Sequence, residues 1–568
     1  MTIEPNSLDD NLELLSRHKQ LWAQTEVGAR VAILARIRDD VNLVAQDWAE
    51  TAARKKGLAV NAPQAGEEWL SGPYALITYC NALMETLSKV AGNKHLDGLP
   101  MRELPNGQLA VQVVPHSIWD RLILSGVRAE VWMEPDVTRA NLAQHTASGY
   151  THPTRGKVAL VLGAGNIAAI APLDCLHKLF VNNEVVLLKM NPVNDYLAAF
   201  LIPALAALIE PGFLRIVSGD ASVGQYLCNH PLVETIHITG STASHDAIVW
   251  GTGNEATANK LAGTPRNKRP ITSELGGVSP TIVVPGPWSQ ADIAFQAENV
   301  ATQKLHNAGF NCIACQVLVL SAAWPQKTAL LQALEATMTA SAPRPLYYPG
   351  AKARLTEFQH GITGQTPAQL ETSNQCCIFH FRAGANHIAE TFEVFAPALA
   401  VTELPCPDEE AFLIDAIDYA NQNLAGTLGA NILIHPLTMR QIGQRRFDEI
   451  ITNLRYGTIS INAWTGLGFL LSRATWGAFP GHTLDNVQSG IGAVHNTMLF
   501  DRPQRTVVEA PFTPFPRNLP SLSFTLLPRP PWFITSRRAH VLGRLLTRFQ
   551  AHPSLARLFA IFANALRG

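Results

Sequence analysis

No stretch of this chain approaches the roughly 20 consecutive apolar residues that a membrane span requires. Its most apolar run, 197 to 209, is short and carries Pro203, which suits a buried helix. Residues 1 to 15 hold acids where a secretory leader would hold bases, so no signal peptide is expected. Neither sign of charge dominates: the formal net charge is −1, which removes any whole-chain argument for nucleic acid as a partner. The eight cysteines (Cys80, Cys175, Cys228, Cys312, Cys315, Cys376, Cys377, Cys406) form no regular framework, so a reducing compartment and a cytoplasmic location are expected. Only one C-x-x-C exists, Cys312 to Cys315; without a second there is no four-ligand zinc set, and no metal is expected. Internal repeats and long low-complexity segments are missing too. Acids are missing from one region: Ala510 to Gly568 holds eight arginines and no Asp or Glu. The remainder therefore carries −9, and the tail reads as a basic appendage on an acidic body.

What is present is ample core. At 568 residues and 47% apolar, the chain exceeds what one core holds, so two or three domains are expected. Apolar residues at helical spacing between 8 and 57 (Leu12, Leu15, Trp22, Val31, Leu34, Ile37, Val41, Val44) predict two amphipathic helices in a surface layer. Residues 63 to 98 also look helical, and 109–114 and 129–133 read as strands. From Lys157 onward the pattern is strand, helix, strand, with strands at 158–162, 185–188, 214–217 and 234–238. That alternation predicts a parallel sheet of mononucleotide-binding type. The polar stretch 251–270 reads as an exposed loop. A second α/β unit follows, with strands near 281–284, 317–320, 393–401, 426–434 and 457–464 and a helix at 292–305.

Chemistry concentrates at two loop tips. His306-Asn307-Ala308-Gly309-Phe310-Asn311-Cys312 offers a thiol on a glycine-containing turn, and Ser273-Glu274-Leu275-Gly276-Gly277 offers a carboxylate before a glycine pair. A sulfur nucleophile and a base that can later activate water suit covalent catalysis. Two other loops could hold phosphate. Gly163-x-Gly165-x-x-Ala168 matches a dinucleotide fingerprint, but the second strand ends in Lys189-Met190-Asn191-Pro192 rather than in the ribose-binding acid. Thr239-Gly240-Ser241-Thr242 also leaves a strand, and is either a phosphate loop or a helix cap.

In this order the motifs resemble the aldehyde dehydrogenase superfamily over about residues 8 to 500. Ser273 to Pro280 is similar to its general-base motif, Asn307-Ala308-Gly309-x-x-Cys312 to its nucleophile motif, and Thr239 to Thr242 to its cofactor loop. Asn166 falls where the family has an oxyanion-binding asparagine and Lys189 where it has a ribose-binding lysine. Glu393-x-Phe395-x-Pro397 resembles the segment on the nicotinamide ribose, and Gln488-Ser489-Gly490-Ile491-Gly492 a late signature.

The resemblance implies an α/β fold in three parts: a Rossmann-type NAD(P)-binding domain (1–130 and 155–275), a catalytic domain (276–487) and a small β oligomerisation element (131–154 and 488–510). It leaves 511–568 as an extension. It implies NAD or NADP held by Lys189, Gly219, Gly240, Ser241, Thr242, Leu275, Glu393 and Phe395, with the Gly163 turn serving the substrate oxygen instead. The partners implied are a small-molecule aldehyde and a second copy of the chain, as homodimer or homotetramer. In the implied mechanism Cys312 attacks the aldehyde with its pKa lowered by a helix N-terminus, and Asn166 with the Cys312 N–H holds the oxyanion. Hydride passes to nicotinamide, and Glu274 activates water against the thioester. Cys315 is then packing.

The family pattern is broken at Pro192, which leaves NAD against NADP open, at His245 in place of a cofactor-loop glycine, at Phe310 in place of glutamine, and at Ala493 in place of arginine. Two other functions stay in view: a coenzyme A-dependent acylating dehydrogenase or acyl reductase, and a catalytically silent membrane-surface scaffold. Trp464, Phe469 and Leu470 suggest an apolar substrate pocket. In the tail, arginines alternate with Val541, Leu542, Leu545, Leu546 and Phe549. This fits either a helical cap on the acidic body or a peripheral membrane contact.

Overall fold

Val158–Leu162 and Val185–Lys189 are apolar at almost every position, a pattern tolerated only by strands covered on both faces. The computed structural model, which describes residues 5–152, 155–363, 376–384, 386–518, 525–526 and 529–568, places them at the centre of a six-stranded sheet. Its spatial order is Gly490–Ile491, Ile271–Leu275, Thr235–Gly240, Val158–Leu162, Val185–Lys189, Leu214–Val217. All neighbours are parallel except the short 490–491 strand. The N-terminal helices Pro5–Ala23 and Val27–Lys55 share one core with this sheet through Leu12, Leu15, Trp22, Leu34 and Trp48, which are sealed from solvent.

A second sheet has ten strands in the order Met101–Glu103, Leu109–Val114, Arg128–Met133, Pro503–Glu509, Thr458–Ile461, Gly429–Leu433, Ser279–Val283, Cys315–Ser321, Ala398–Leu404, Cys377–His380. The strands from 458–461 to 377–380 are mutually parallel, and the first four form an antiparallel ribbon on their edge. The pairing redistributes the segments assigned from sequence. Leu109–Val114, placed with the cofactor domain, belongs to the second sheet because its hairpin with Arg128–Met133 joins the core of Val111, Val131 and Met133. Of the expected oligomerisation strands, Pro503–Glu509 pairs in parallel with Thr458–Ile461 of the same chain. Gly490–Ile491 crosses to the first sheet.

Two further expectations are corrected. Within 251–270 there is a helix, Gly253–Ala262, none of whose residues is buried; polar all round, it has no apolar stripe to betray its period. The apolar run 197–209 is not one helix but two, Ala198–Ala204, which accommodates Pro203 in its last turn, and Ala206–Ile209, with the break at Leu205.

The basic extension docks on its own chain. Arg517 pairs with Asp292 (2.6 Å) and Arg529 with Glu298 (2.8 Å), both acids of helix Gln290–Leu305. Helix Ala539–Ala551 buries Leu542, Leu546 and Phe549, and crosses Gly66–Trp69 so closely that a Cβ on Gly66 would collide with the Ala539 carbonyl, while one on Gly543 would stand 2.7 Å from the Trp69 side chain. The last helix, Leu555–Ala565, buries Leu558, Ile561 and Ala565 and exposes Leu555 and Phe559.

Candidate active site

Helix Gln290–Leu305 begins in a capping box between Ser289 and Asp292 and ends at the turn that carries the thiol. There Asn307, Ala308 and Gly309 all have positive φ (53°, 53° and 77°). Ala308 pays the usual left-handed penalty of about 1–2 kcal/mol, so the turn must be held from outside. Asn307 does much of this, donating from Nδ2 to the carbonyls of Asn166 (3.1 Å) and Phe310 (3.0 Å). Its own N–H donates to Glu67 Oε2 (2.7 Å). Gly309 is needed because a Cβ there would stand 2.9 Å from the Ala396 backbone. Phe310, at the family's glutamine position, is fully buried among Tyr347, Tyr348 and Phe395.

Beneath the turn lies a charged group with no counterpart in the motifs read above. Lys56 Nζ donates to Glu68 Oε1 (2.8 Å) and Asn307 Oδ1 (2.9 Å), and Arg344 pairs with Glu67 (2.6 Å). Burial opposes the charge on Lys56, yet the Glu68 carboxylate holds its ammonium form well above the usual lysine range. Removing one member of a buried pair strands the other, so Lys56→Met is expected to destabilise the fold by about 3–5 kcal/mol. Denaturant titration checks this, with the Lys56→Met/Glu68→Gln double variant recovering part of the loss.

Glu274 sits in the strand Ile271–Leu275, held on both edges. On one side it runs parallel to Thr235–Gly240; on the other Gly490 lies opposite it, and Leu275 N donates to Ser489 O (2.8 Å). A Cβ on Gly490 would collide with the Ser273 carbonyl, so the Gln488–Gly492 segment works as a backbone clamp on the carboxylate-bearing strand. Cys312 Sγ then donates to Glu274 Oε1 at 3.3 Å. The two line one chamber of about 50 Å³ with Asn166, Ile170, Trp464, Phe469 and Trp476. Asn166 Nδ2 spends one hydrogen on the Phe310 carbonyl (3.0 Å), leaving its second for a ligand oxygen. Among the described residues, Glu274 Oε2 and Trp476 Nε1 have no hydrogen-bond partner within 3.5 Å.

Electrostatics follow from burial. Desolvation pushes Glu274 up to about 7, Asp174 adds to the rise, and Trp476 and the Cys312 thiol oppose it. Desolvation and the neighbouring Glu274 push the Cys312 thiol well above its ordinary value. The expected lowering by a helix terminus is therefore overturned: Cys312 precedes a strand, Cys315–Ser321, and shares its pocket with a carboxylate. The thiol is held in its protonated form, and Glu274 in its carboxylate form is the acceptor poised beside it. Cys315 is buried at the start of that strand.

The remaining candidates lie at two places. Glu393 abuts the glycine pair, since a Cβ on Gly276 would collide with its carboxylate; burial raises it to about 8, and its Oε1 has no hydrogen-bond partner among the described residues. Phe395, with φ 42°, packs on Phe310, and Leu275 is buried. Lys189, Gly219, Gly240, Ser241 and Thr242 are instead at the carboxyl ends of the parallel strands. The strand order reverses between Val158–Leu162 and Thr235–Gly240, the crevice where open α/β sheets take their ligands. Ser241 caps helix Thr242–Trp250 by accepting from Ser244 N (3.2 Å), and Gly240 to Thr242 are exposed, so the backbone amides at the start of this helix lie at the surface. This Glu393 oxygen, the Lys189 ammonium and these amides are a donor and acceptor set that fits a nicotinamide dinucleotide. His245 is fully buried within that helix. At the Gly163 turn, Asn191 Oδ1 lies 2.7 Å from where a Cβ on Gly165 would stand.

Sequence reading missed Lys56, Glu67, Glu68, Trp476 and Trp532. A lysine at the end of a predicted amphipathic helix carries no local sign of bracing the catalytic turn, nor a tryptophan in a basic tail of lining the reaction chamber.

The family model described as "Aldehyde dehydrogenase family" matches residues 166–344. Coniferyl aldehyde dehydrogenase of Pseudomonas sp. (strain HR199 / DSM 7063) is 30% identical over 189 residues, 33% of this chain and 35% of that protein. The match thus spans about a third of the curated relatives' length. Among solved structures, aldehyde dehydrogenase C of Pseudomonas syringae, a mutant in complex with NAD+ and octanal, superposes with TM-score 0.60 at 16% identity over 90% of each chain. An NADP-dependent enzyme of E. coli does so with TM-score 0.59 at 17% identity over 89% of each.

Proposed function

This chain belongs to the aldehyde dehydrogenase superfamily, and we propose on that footing that it oxidises an apolar aldehyde to a carboxylic acid with NAD or NADP as acceptor. The observation that carries the reading is the 3.3 Å contact of Cys312 Sγ with Glu274 Oε1 in a chamber shared with Asn166. Cys312 adds to the aldehyde carbon as its proton passes to Glu274, since a thiolate alone in this pocket is disfavoured. The alkoxide oxygen of the thiohemiacetal accepts from Asn166 Nδ2 and the Cys312 N–H, a preorganised pair worth several kcal/mol. Glu393 and Phe395 would hold the nicotinamide, and Lys189 and the Gly240 loop the rest of the dinucleotide, which when bound would supply the acceptor for the aldehyde hydrogen as hydride. Glu274, its proton released, then takes one from water as the oxygen attacks the Cys312 thioester.

Trp464, Phe469 and Trp476 keep the chamber apolar, which favours an apolar body on the aldehyde. A thiol-transfer rival would need no base beside the sulfur. The test is reduction of NAD and of NADP with an aldehyde panel, with and without coenzyme A. Turnover to free acid without coenzyme A is expected, and an absolute requirement for coenzyme A overturns hydrolysis.

A further inference from the structure

The extension after Ala510 takes no part in the chemistry just described, yet its Trp532 stands in the wall of three cavities. One is the Cys312 chamber. Another, about 240 Å³, lies beyond Leu70, Leu470 and Trp532, the three residues that line both. The body contributes Tyr74, Thr78 and Ile123 to this outer cavity, and the extension contributes Leu546 and Phe549. Polar groups gather in its lining: Glu85 with its partner Arg473, Asp120, and Asn81 Nδ2 donating to the Gln550 carbonyl (2.9 Å).

Trp532 is held in place by the same helix that delivers the nucleophile. Arg529 and Thr535 both bind Glu298, Ile534 N donates to Thr302 Oγ1 (3.1 Å), and Phe533 packs on Phe295 at 5.3 Å. Glu298, Thr302 and Phe295 all belong to Gln290–Leu305. The indole is thereby fixed against the catalytic turn.

The inner chamber, about 50 Å³, has room for a few waters. A formyl group and its first carbons fill it, so a larger aldehyde must extend past Leu70, Leu470 and Trp532. We infer that the C-terminal extension builds the outer half of the substrate site, with Trp532 as a width-selecting gate. The substrate class is then an aldehyde on a slim apolar body that passes the gate, lies against Thr78, Leu546 and Phe549, and sets any distal polar group beside Glu85, Arg473 and Asp120. This rests on the oxidation reading above for its chemistry, but not for its binding.

Each methylene taken out of water strengthens binding about fourfold, so wild type should prefer decanal to propanal in kcat/KM. Leu546→Trp and Thr78→Phe fill the outer cavity from opposite walls, and each should cut the decanal-to-propanal ratio by at least about fivefold. A smaller change in both overturns the inference. Trp532→Ala should raise the ratio for cyclohexanecarbaldehyde over decanal by at least about fivefold; a smaller change overturns the gate. Calorimetry of decanal and propanal with Cys312→Ala separates the two readings. Tighter decanal binding that is lost in Cys312→Ala/Leu546→Trp supports the outer site even if wild type oxidises no aldehyde, an outcome that would sink only the oxidation reading. Binding independent of chain length overturns the outer site whatever the turnover.

Discussion

Cys312→Ala should lose aldehyde-dependent reduction of NAD or NADP by about 10⁴-fold or more in kcat/KM, the scale on which removing a covalent nucleophile acts. Among the described residues, Cys312 is the one thiol lining the chamber with Glu274 and Asn166. Cys315 points away into the strand, donating to the Val317 carbonyl at 3.9 Å, and cannot substitute for it. The side chain lost is small and only part-buried, so the thermal midpoint should stay near that of wild type. That separates a chemical loss from a folding one. Activity that survives the substitution would sink the covalent mechanism.

Glu274→Gln should lower turnover by about 10²–10⁴-fold, the usual contribution of a positioned general base, and should do so by a recognisable route. The amide keeps the shape but takes no proton. Because Glu274 takes the proton first from Cys312 and later from water, formation of the first equivalent of reduced cofactor should slow along with later turnover, with no burst. The pH profile supplies a second readout. With Glu274 raised to about 7, most molecules carry a carboxylic acid below that pH and a carboxylate above it. Wild-type kcat/KM should thus fall as pH drops through about 7, and in Glu274→Gln this acid limb should vanish. Unchanged turnover in the variant, together with a need for coenzyme A, would favour the acylating rival.

Much of the fold was legible because buried parallel strands announce themselves as unbroken apolar runs. Val158–Leu162, Val185–Lys189 and Leu214–Val217 fall where the runs do. Gly253–Ala262 was illegible for the opposite reason, as a helix that buries nothing leaves no pattern. The assignment of Leu109–Val114 and Gly490–Ile491 to sheets was also out of reach. Pairing partners are chosen by long-range packing, and a strand's own residues state only that it is one.

The same division runs through the site. By itself the sequence determined the chemistry at the loop tips: a thiol on the glycine-containing turn Asn307 to Cys312, and a carboxylate, Glu274, before a glycine pair. These are local properties, written in reactive side chains and in glycines, whose backbone reaches angles that other residues avoid. The tertiary structure alone decided that Gly490 clamps the Glu274 strand, that Lys56 and Glu67 brace the turn from beneath, and that a thiol expected to be acidified is instead held protonated beside a buried carboxyl. It alone brought Trp532 from the basic tail to the wall of the Cys312 chamber. Burial and proximity set these features, and both are properties of the packed chain rather than of any segment within it.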